Sequence, residues 1–234
     1  MPIIVFGESA GMIGGDHKDG FVWDAAQANN SYGDDAENFV RNTVGNNMIL
    51  NGRWSLVGHI PANAVINSAV GSYIKSVGAG VGVLGFTLHD CATPFGVTPV
   101  DEGASAAPAA GSQATYNRSF ANPTNTPWAG GGAVSVADNG LLSDTIPGNA
   151  ADAVGTIYNF DFAPIVRLWV LNDATNYGYF IRRTDAVGFF SRFWSQEAAV
   201  PANRPYLTVN WDLPPSTTTT HQSHIAIHNG IAIM

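Results

Sequence analysis

"PYLTVNW", residues 205–211, alternates between two faces at every position after its proline. Successive side chains of a β-strand point to opposite sides, so this pattern predicts a strand with one face on a hydrophobic core. The face that we expect to be buried carries Leu207, Val209 and Trp211, and the opposite face carries Tyr206, Thr208 and Asn210.

Three other stretches predict strands of the same kind. Residues 65–74 are apolar on both sides, which is typical of a central strand covered twice. In residues 157–162, Tyr158, Phe160 and Phe162 share one side. In residues 189–195, "FFSRFWS", one side carries Phe190, Arg192 and Trp194, and the other carries Ser191, Phe193 and Ser195.

One short stretch has a helical period. After Ala163-Pro164, the apolar residues Ile165, Leu168 and Trp169 follow at i, i+3 and i+4. Because proline suits the first turn of a helix, we expect about two turns here, closing one end of the fold. Residues 101–113 and 129–155 are rich in small and turn-forming residues and predict long loops.

Together these patterns predict an all-β protein, either a sandwich or a barrel. Of the two we expect the sandwich, an antiparallel jelly-roll-like β-sandwich with one short helix and extended terminal arms. The expected divisions are an arm or first strand at 1–18, the sandwich at 19–213, and a spacer with a β-arm at 214–234.

Composition argues against several classes of partner. The 234 residues carry a net charge of −8 without any Lys/Arg cluster, so we expect no nucleic-acid partner. No apolar run approaches about 18 residues, so we expect no membrane partner. The first residues lack the basic and apolar segments of a secretory signal. The single cysteine, Cys91, cannot form an internal disulfide and predicts a small buried side chain.

A serine motif near the start resembles the nucleophile of an esterase. Gly7-Glu8-Ser9-Ala10-Gly11 matches G-x-S-x-G, which works when a buried strand delivers the serine onto a turn followed by a helix. Only six residues precede Gly7, and the stretch after Gly11 is too rich in glycine to begin a long helix. We therefore interpret Ser9 as non-catalytic and predict no enzyme; "PIIVFG" is expected to be a strand or arm.

Three groups of residues could hold a metal, and for each the ordinary interpretation is preferred. His221, His224 and His228 would share a helical face, but the alternating isoleucines around them favour extended chain. His17 is interpreted as part of a solvated loop. No cofactor is expected, although calcium is left open because hard cations bind clustered oxygens such as those of Asp34, Asp35 and Glu37.

Six stretches in order carry a family resemblance: "DGFVWDAAQANNSYG" (19–33), "HIPANAVINSAVGSYI" (59–74), "ATYNRSFANPTNTPWAGGG" (114–132), "NFDFAPIVRLWV" (159–170), "NYGYFI" (176–181) and "FWSQEAAVPANRPYLTVNW" (193–211). Together they resemble the DNRLRE, or disaggregatase-related, β-sandwich family, which overlaps with a family of carbohydrate-binding modules. The resemblance implies a non-catalytic module. The tryptophans Trp128, Trp169, Trp194 and Trp211 are more typical of core or rim packing than of a sugar platform. Among them Trp128, on a Gly-rich loop, is the best candidate for exposure and for sugar binding, and Tyr116 is the next candidate.

Glu197 and Arg204 flank a turn through Pro201, and we expect the carboxylate and the guanidinium to pair as a structural lock. In the last ten residues of the sequence, Ile225 and Ile227 alternate with histidines, and Ile231 and Ile233 follow Gly230. Such an extended segment can complete a neighbouring sheet, so these isoleucines predict an assembly arm.

Two functions remain open. The first is a structural protein of a bacteriophage virion, located in the particle as a capsid-decoration, head-fibre or tail-associated subunit. Its partners would be other virion proteins or copies of itself, with polysaccharide as a further ligand. The second is a carbohydrate-binding module that acts alone.

Overall fold

A computed structural model describes residues 2–7, 12, 17–24, 30–33, 35–43, 47–77, 82–92, 107–108, 128, 134–185 and 190–215. Two main sheets contain nine strands. The first sheet has the order β1 (Ile3–Phe6), β13 (Tyr206–Asp212), β6 (Val65–Ile74) and β10 (Ile157–Asp161). The second has the order β2 (His17–Trp23), β5 (Met48–Trp54), β11 (Tyr179–Arg183), β7 (Val83–Cys91) and β9 (Asn139–Asn149).

The remaining elements are short. Two further strand pairs join β4 (Glu37–Val40) to β12 (Ser191–Trp194) and β3 (Asn30–Ser31) to β8 (Ala107–Pro108). The helix α1 spans Ala163–Leu171, and single 3-10 turns span Val136–Asp138, Asp173–Thr175 and Pro201–Asn203. No helix in the described ranges has the length and apolar character that would carry it across a membrane.

The strand order is that of a jelly roll. All pairings in the two main sheets are antiparallel. The chain passes from one main sheet to the other six times: between β1 and β2, β5 and β6, β6 and β7, β9 and β10, β10 and β11, and β11 and β13. The orders β1-β13-β6-β10 and β5-β11-β7-β9 interleave two Greek keys, and β2 is added beside β5. The prediction of an antiparallel sandwich with one helix is confirmed.

The period-two patterns explain how the strands pack. In β13, Leu207 and Val209 are fully buried and Trp211 is 9% exposed, whereas the alternate residues are half-buried. Tyr158 and Phe160 of β10 are buried on the same principle, between exposed neighbours. Residues 3–6 form a true strand, because β1 pairs with β13 along its whole length.

Aromatic rings fill the space between the sheets. Phe193 meets Tyr73, Phe86 and Tyr158 at centroid distances of 6.1, 5.5 and 5.5 Å, each in an edge-to-face arrangement. The rings of Tyr73 and Phe160 meet in the same way at 5.7 Å. Edge-to-face pairs place the positive ring edge against a negative ring face, so this core has one preferred packing.

The predicted helix is present at one end of the sandwich, but only two of the three apolar residues that predicted it are buried. These are Ile165 and Trp169, whereas Leu168 is 41% exposed. Val166 and Val170 are buried instead, because the i, i+1, i+4, i+5 positions of a helix lie on one side. The loop predicted over 129–155 was also wrong in part: β9 pairs with β7 through eight registered positions despite lacking an alternating pattern.

Helix α1 joins the two sheets through its side chains. The guanidinium of Arg167 donates to the carbonyl of Ile66 in β6, with nitrogen–oxygen distances of 3.2 and 3.1 Å. The indole of Trp169 donates to the carboxylate of Asp90 in β7 at 3.0 Å. Burial raises the pKa of Asp90 to about 6, and the indole hydrogen bond opposes part of that shift.

Candidate functional site

An open groove of about 580 Å³ lies beside the β4–β12 pair, where the edge of β2 approaches it. We call it the aromatic groove. Six of its twelve lining residues are aromatic: Phe21, Trp23, Tyr32, Phe39, Phe190 and Trp194. Its charged lining residues are Asp35, Glu37, Arg41 and Arg192, and Ala36 and Met48 complete it.

The alternation of β12 determines which of its side chains reach the groove. Ser191 and Phe193 are buried, and Arg192 and Trp194 between and after them are half-buried on the outer side. The predicted division of residues 189–195 into two faces is therefore confirmed. Because Arg192 lies opposite Phe39 and Trp194 lies opposite Glu37 in the β4–β12 pairing, each outer side chain of β12 has a cross-strand neighbour.

The floor of the aromatic groove is a packed cluster. Phe21, Tyr32 and Met48 are 4–5% exposed, and Trp23, Phe39 and Phe190 pack against them while remaining partly open. The ring of Phe21 stacks on Tyr32 at 4.4 Å and contacts Phe39 at 4.8 Å. The partly open rings are thus held by buried ones, so they present a prearranged apolar surface to a ligand.

Charges in the groove balance. Arg192 donates to the Glu37 carboxylate at 3.1 Å, with both side chains partly exposed. Its guanidinium carbon also lies 4.8 Å from the ring centroid of Phe39 and 4.5 Å from that of Phe190, in cation–π range. In total the lining contains two guanidinium groups and two carboxylates. A groove with aromatic faces and balanced polar groups suits an uncharged ligand that is apolar on one side and hydroxylated at its edges.

The sequence prediction of an exposed Trp128 was wrong. Trp128 is 1% exposed and packs with Val22, Ile49 and Cys91, and its ring meets Phe180 edge to face at 5.7 Å. Glycine-rich flanks had suggested an exposed tip, but the large indole is buried against the outer face of β5 and β11. Cys91 is buried in the same cluster, as predicted.

Several other predicted positions lie outside the described residues. These are Ser9, Tyr116, Asp34, the three histidines His221, His224 and His228, and the assembly-arm residues Ile225, Ile227, Ile231 and Ile233. Before Ser9, β1 ends at Phe6, and Gly7 follows with a φ of +155°. The interpretation of these residues stays a prediction.

Hydrogen bonds that involve backbone groups stabilise the turn between Glu197 and Arg204. The Arg204 Nε donates to the carbonyl of Ala198 at 2.9 Å, across the 3-10 turn Pro201–Asn203. The Glu197 amide donates to the Ser195 hydroxyl at 3.1 Å. Arg204 therefore does hold this turn closed, whereas a direct ion pair with Glu197 stays a prediction.

His17 belongs to a buried network, and the prediction of a solvated loop was wrong. It is 2% exposed at the start of β2, and its ring stacks on Trp54 with centroids 3.6 Å apart. Its Nε2 lies 2.8 Å from the Tyr179 hydroxyl, which in turn accepts from the Tyr73 hydroxyl at 2.5 Å. Since Tyr179 then has its own proton to give, His17 accepts at Nε2 and is neutral.

Burial dominates the ionisation of this network. It lowers the pKa of His17 well below the ordinary value, and the charge of Lys18 lowers it further. Burial also raises the pKa of Tyr73 and of Tyr179 well above theirs. All three groups are therefore uncharged at neutral pH, which fits a structural role between the sheets.

No three His, Cys, Asp or Glu side chains group as a metal site would require within the ranges given above. Of the acidic residues proposed for calcium, Glu37 is paired with Arg192. The Asp35 backbone carbonyl accepts from the Ser195 hydroxyl at 2.5 Å. A calcium site stays a prediction.

Sequence reasoning missed the aromatic groove because its walls come from distant stretches. One signal was present: "FFSRFWS" carries aromatic residues on both faces, and the Phe193 face alone supplies what the core needs. The opposite face carries Phe190 and Trp194 with Arg192 between them, and aromatic side chains that the core does not need indicate a second contact surface. The sequence around Trp23 and Tyr32 contains no comparable pattern that would place these two residues in a groove.

The chain matches no model of a protein family, and no curated protein matches it significantly. The resemblance to the DNRLRE family stays a prediction.

Proposed function

We propose that this protein is a non-catalytic glycan-binding module, and that a polysaccharide chain without charge lies in its aromatic groove. The observation that carries the proposal is the groove itself, an open depression in which six aromatic side chains surround balanced charges. Jelly-roll folds occur in lectins, which agrees with the proposal, but a fold by itself does not assign a function.

Sugar rings match this surface chemically. The axial C–H groups of a pyranose form an apolar face that packs on an aromatic ring, and its equatorial hydroxyls project toward polar neighbours. Trp23, Phe190 and Trp194 supply the partly open rings, and the Arg192–Glu37 pair supplies a donor and an acceptor at the rim. Because the pair is already formed and supported by two phenyl rings, little ordering is needed when the ligand binds.

Affinity electrophoresis through gels that contain soluble neutral polysaccharides tests the proposal. The native chain should be retarded by at least one of them, and Trp194→Ala and Trp23→Ala should each weaken retention about tenfold, or by roughly 1.4 kcal/mol. Tyr206→Ala is the matched control, since Tyr206 is a half-buried aromatic residue of the other sheet and lies outside the groove lining. Equal retention of all three variants would reject the groove as the site, and no retention on a broad glycan array would reject the function.

We also propose that the groove does not cleave sugar. Glycosidases need one carboxyl group to protonate the leaving oxygen and a second to act as base or nucleophile. In the aromatic groove, Glu37 is held by Arg192 as the accepting partner of an ion pair. Incubation with any polysaccharide that is retained should release no new reducing ends, and their appearance with the native chain but not with Glu37→Gln would show an enzyme.

The second candidate is a structural subunit of a bacteriophage virion, and the outer strand of the second sheet favours it. β9 is eleven residues long and lies at the sheet edge, where Leu141 and Leu142 are 46% and 51% exposed. Edge strands offer backbone groups to a strand of a neighbouring subunit. Mass spectrometry of purified virions should then find this chain as a stoichiometric component, and its absence from the particles would reject this role. Both candidates hold together if the virion subunit binds host glycans.

A further inference from the structure

A cleft of about 480 Å³ lies at the end of the sandwich that α1 closes. We call it the end cleft. One wall is the turn that contains Val57, Ile60 and Pro61, and the other is the last turn of α1 with Trp169 and Leu171. Its walls are mostly apolar, although it opens to solvent.

Exposed aliphatic side chains lie in the end cleft and on the elements that lead to it. Leu171 is 76% exposed, Val57 58% and Leu168 41%. Val65, at the start of β6, is 52% exposed, and Leu213, just after β13, is 57% exposed. Single exposed apolar residues are ordinary, but a cleft with several such residues around it indicates a surface that another segment covers.

The chain leaves the sandwich beside this surface. Asp212, the last residue of β13, pairs with Val65, and the Asn67 amide donates to its carboxylate at 3.0 Å. Paired strands are about 5 Å apart, and only three residues separate Val65 from Ala62 in the cleft wall. Residue 212 is therefore within roughly 16 Å of the end cleft, since three residues span at most about 10 Å.

The segment after Asp212 is long enough to return to the end cleft, and it carries apolar side chains that match the cleft. The thirteen residues from Asp212 to Ile225 can span up to about 45 Å, so the polar stretch 216–220 is long enough to act as a spacer. Beyond it, Ile225, Ile227, Ile231 and Ile233 present aliphatic side chains of the same kind as those around the cleft.

We propose that residues 224–233 pack into the end cleft of the same chain, with their isoleucines against Val57, Leu168 and Leu171. Proximity of the exit point favours the chain's own segment, because a tethered segment is present at high effective concentration. This inference does not depend on glycan binding, since the aromatic groove and the end cleft share no lining residue. The segment predicted to be an assembly arm then has a docking site on its own sandwich, from which it would have to be released to join a neighbour.

Disulfide trapping in the full chain tests the contact. Leu171→Cys combined with Ile227→Cys should form an intramolecular disulfide under mild oxidation, detected by peptide mapping of the monomer. Native Cys91 is buried and does not compete. The matched control combines Ile227→Cys with Val154→Cys, which is 60% exposed but lies beyond the other end of β6, about 30 Å away along the strand. Crosslinked dimers would show that a second copy is the occupant, and equal or absent crosslinking in both pairs would also overturn the proposal.

Hydrogen exchange gives a second measurement that needs no cysteine. Backbone amides of residues 224–233 should exchange at least tenfold more slowly in the native chain than in Leu171→Asp. Because Leu171 is mostly exposed, that variant should keep its fold and its exchange pattern in β6 and β13. Unprotected amides at 224–233 in the native chain would refute the contact.

Discussion

Strand β12 supplies aromatic side chains to two regions that differ in what covers them. Phe193 is fully buried among the rings of Tyr73, Phe86 and Tyr158, whereas Trp194, the next residue, lies half-buried in the aromatic groove. The inter-sheet core is closed by a strand layer on each side, and the groove has a packed floor but an open top. The comparison shows that aromatic side chains in this protein stabilise the fold where they are covered and become available for binding where they are not.

The largest effect is expected from truncating the core ring. Phe193→Ala removes a fully buried phenyl group and leaves a cavity, which typically costs about 3–5 kcal/mol in the free energy of unfolding. Urea denaturation followed by tryptophan fluorescence measures it. A loss below about 1 kcal/mol would mean that the inter-sheet core is packed much more loosely than the ring contacts indicate.

The polar part of the same core should make stability depend on pH. In the unfolded chain His17 takes up a proton near its ordinary pKa of about 6.5, whereas burial holds its pKa lower in the folded protein. The unfolded state therefore binds more protons below pH 6.5, and the contribution of His17 is present above that pH and is lost as the pH falls. The expected slope of the unfolding free energy approaches about 1.4 kcal/mol per pH unit, the value for one proton.

Comparison of the native chain with His17→Gln isolates this effect. Asp90 has a pKa raised to about 6, so its contribution has the opposite sign and decreases as the pH rises from about 4 to 6. Since Asp90 is present in both proteins, it cancels from the difference between their unfolding free energies at pH 7 and pH 5. A difference that does not change between these pH values would show that burial does not hold His17 neutral in the folded protein.

The smallest effect on stability is expected in the aromatic groove. Trp194→Ala should lower the unfolding free energy by about 1 kcal/mol or less, because the side chain is only half-buried. Thermal or urea unfolding of this variant beside Phe193→Ala compares adjacent residues of one strand directly. Comparable losses at both positions would contradict the division into a covered core and an open groove.

The alternation of residues within a strand predicted its two faces correctly where one of those faces packs on the core. The alternation in 157–162, 189–195 and 205–211 predicted which side chains share a face, because the two faces of a strand alternate whatever its partners are. Pattern failed where coverage depends on other parts of the chain. The apolar run 65–74 predicted a strand covered on both sides, but Val65 and Val70 of β6 are exposed. β9 lacks alternation and becomes a strand by pairing with β7, and Trp128 is buried by contact with Phe180 rather than by its own flanks.

The candidate site could be predicted less well than the fold. The groove joins Phe21 and Trp23 of β2, Tyr32, Phe39 of β4 and the outer side chains of β12, which are separated by up to about 170 residues in the chain. Sequence reasoning placed Phe190, Arg192 and Trp194 on one face but selected Trp128 and Tyr116 for binding. The periodicity within one stretch does not indicate which strand will pair with it. The pairing of β4 with β12 therefore could not be predicted from the sequence.

The amino-acid order alone determined the all-β class, the inner and outer face of each alternating strand, and the position of the short helix, since these follow from the geometry of local backbone. Only the tertiary structure decided the jelly-roll order, the burial of His17 and Trp128, and the gathering of six aromatic side chains into one groove. Those features depend on contacts between residues far apart in the chain, whose free energy exists only once both partners are in place.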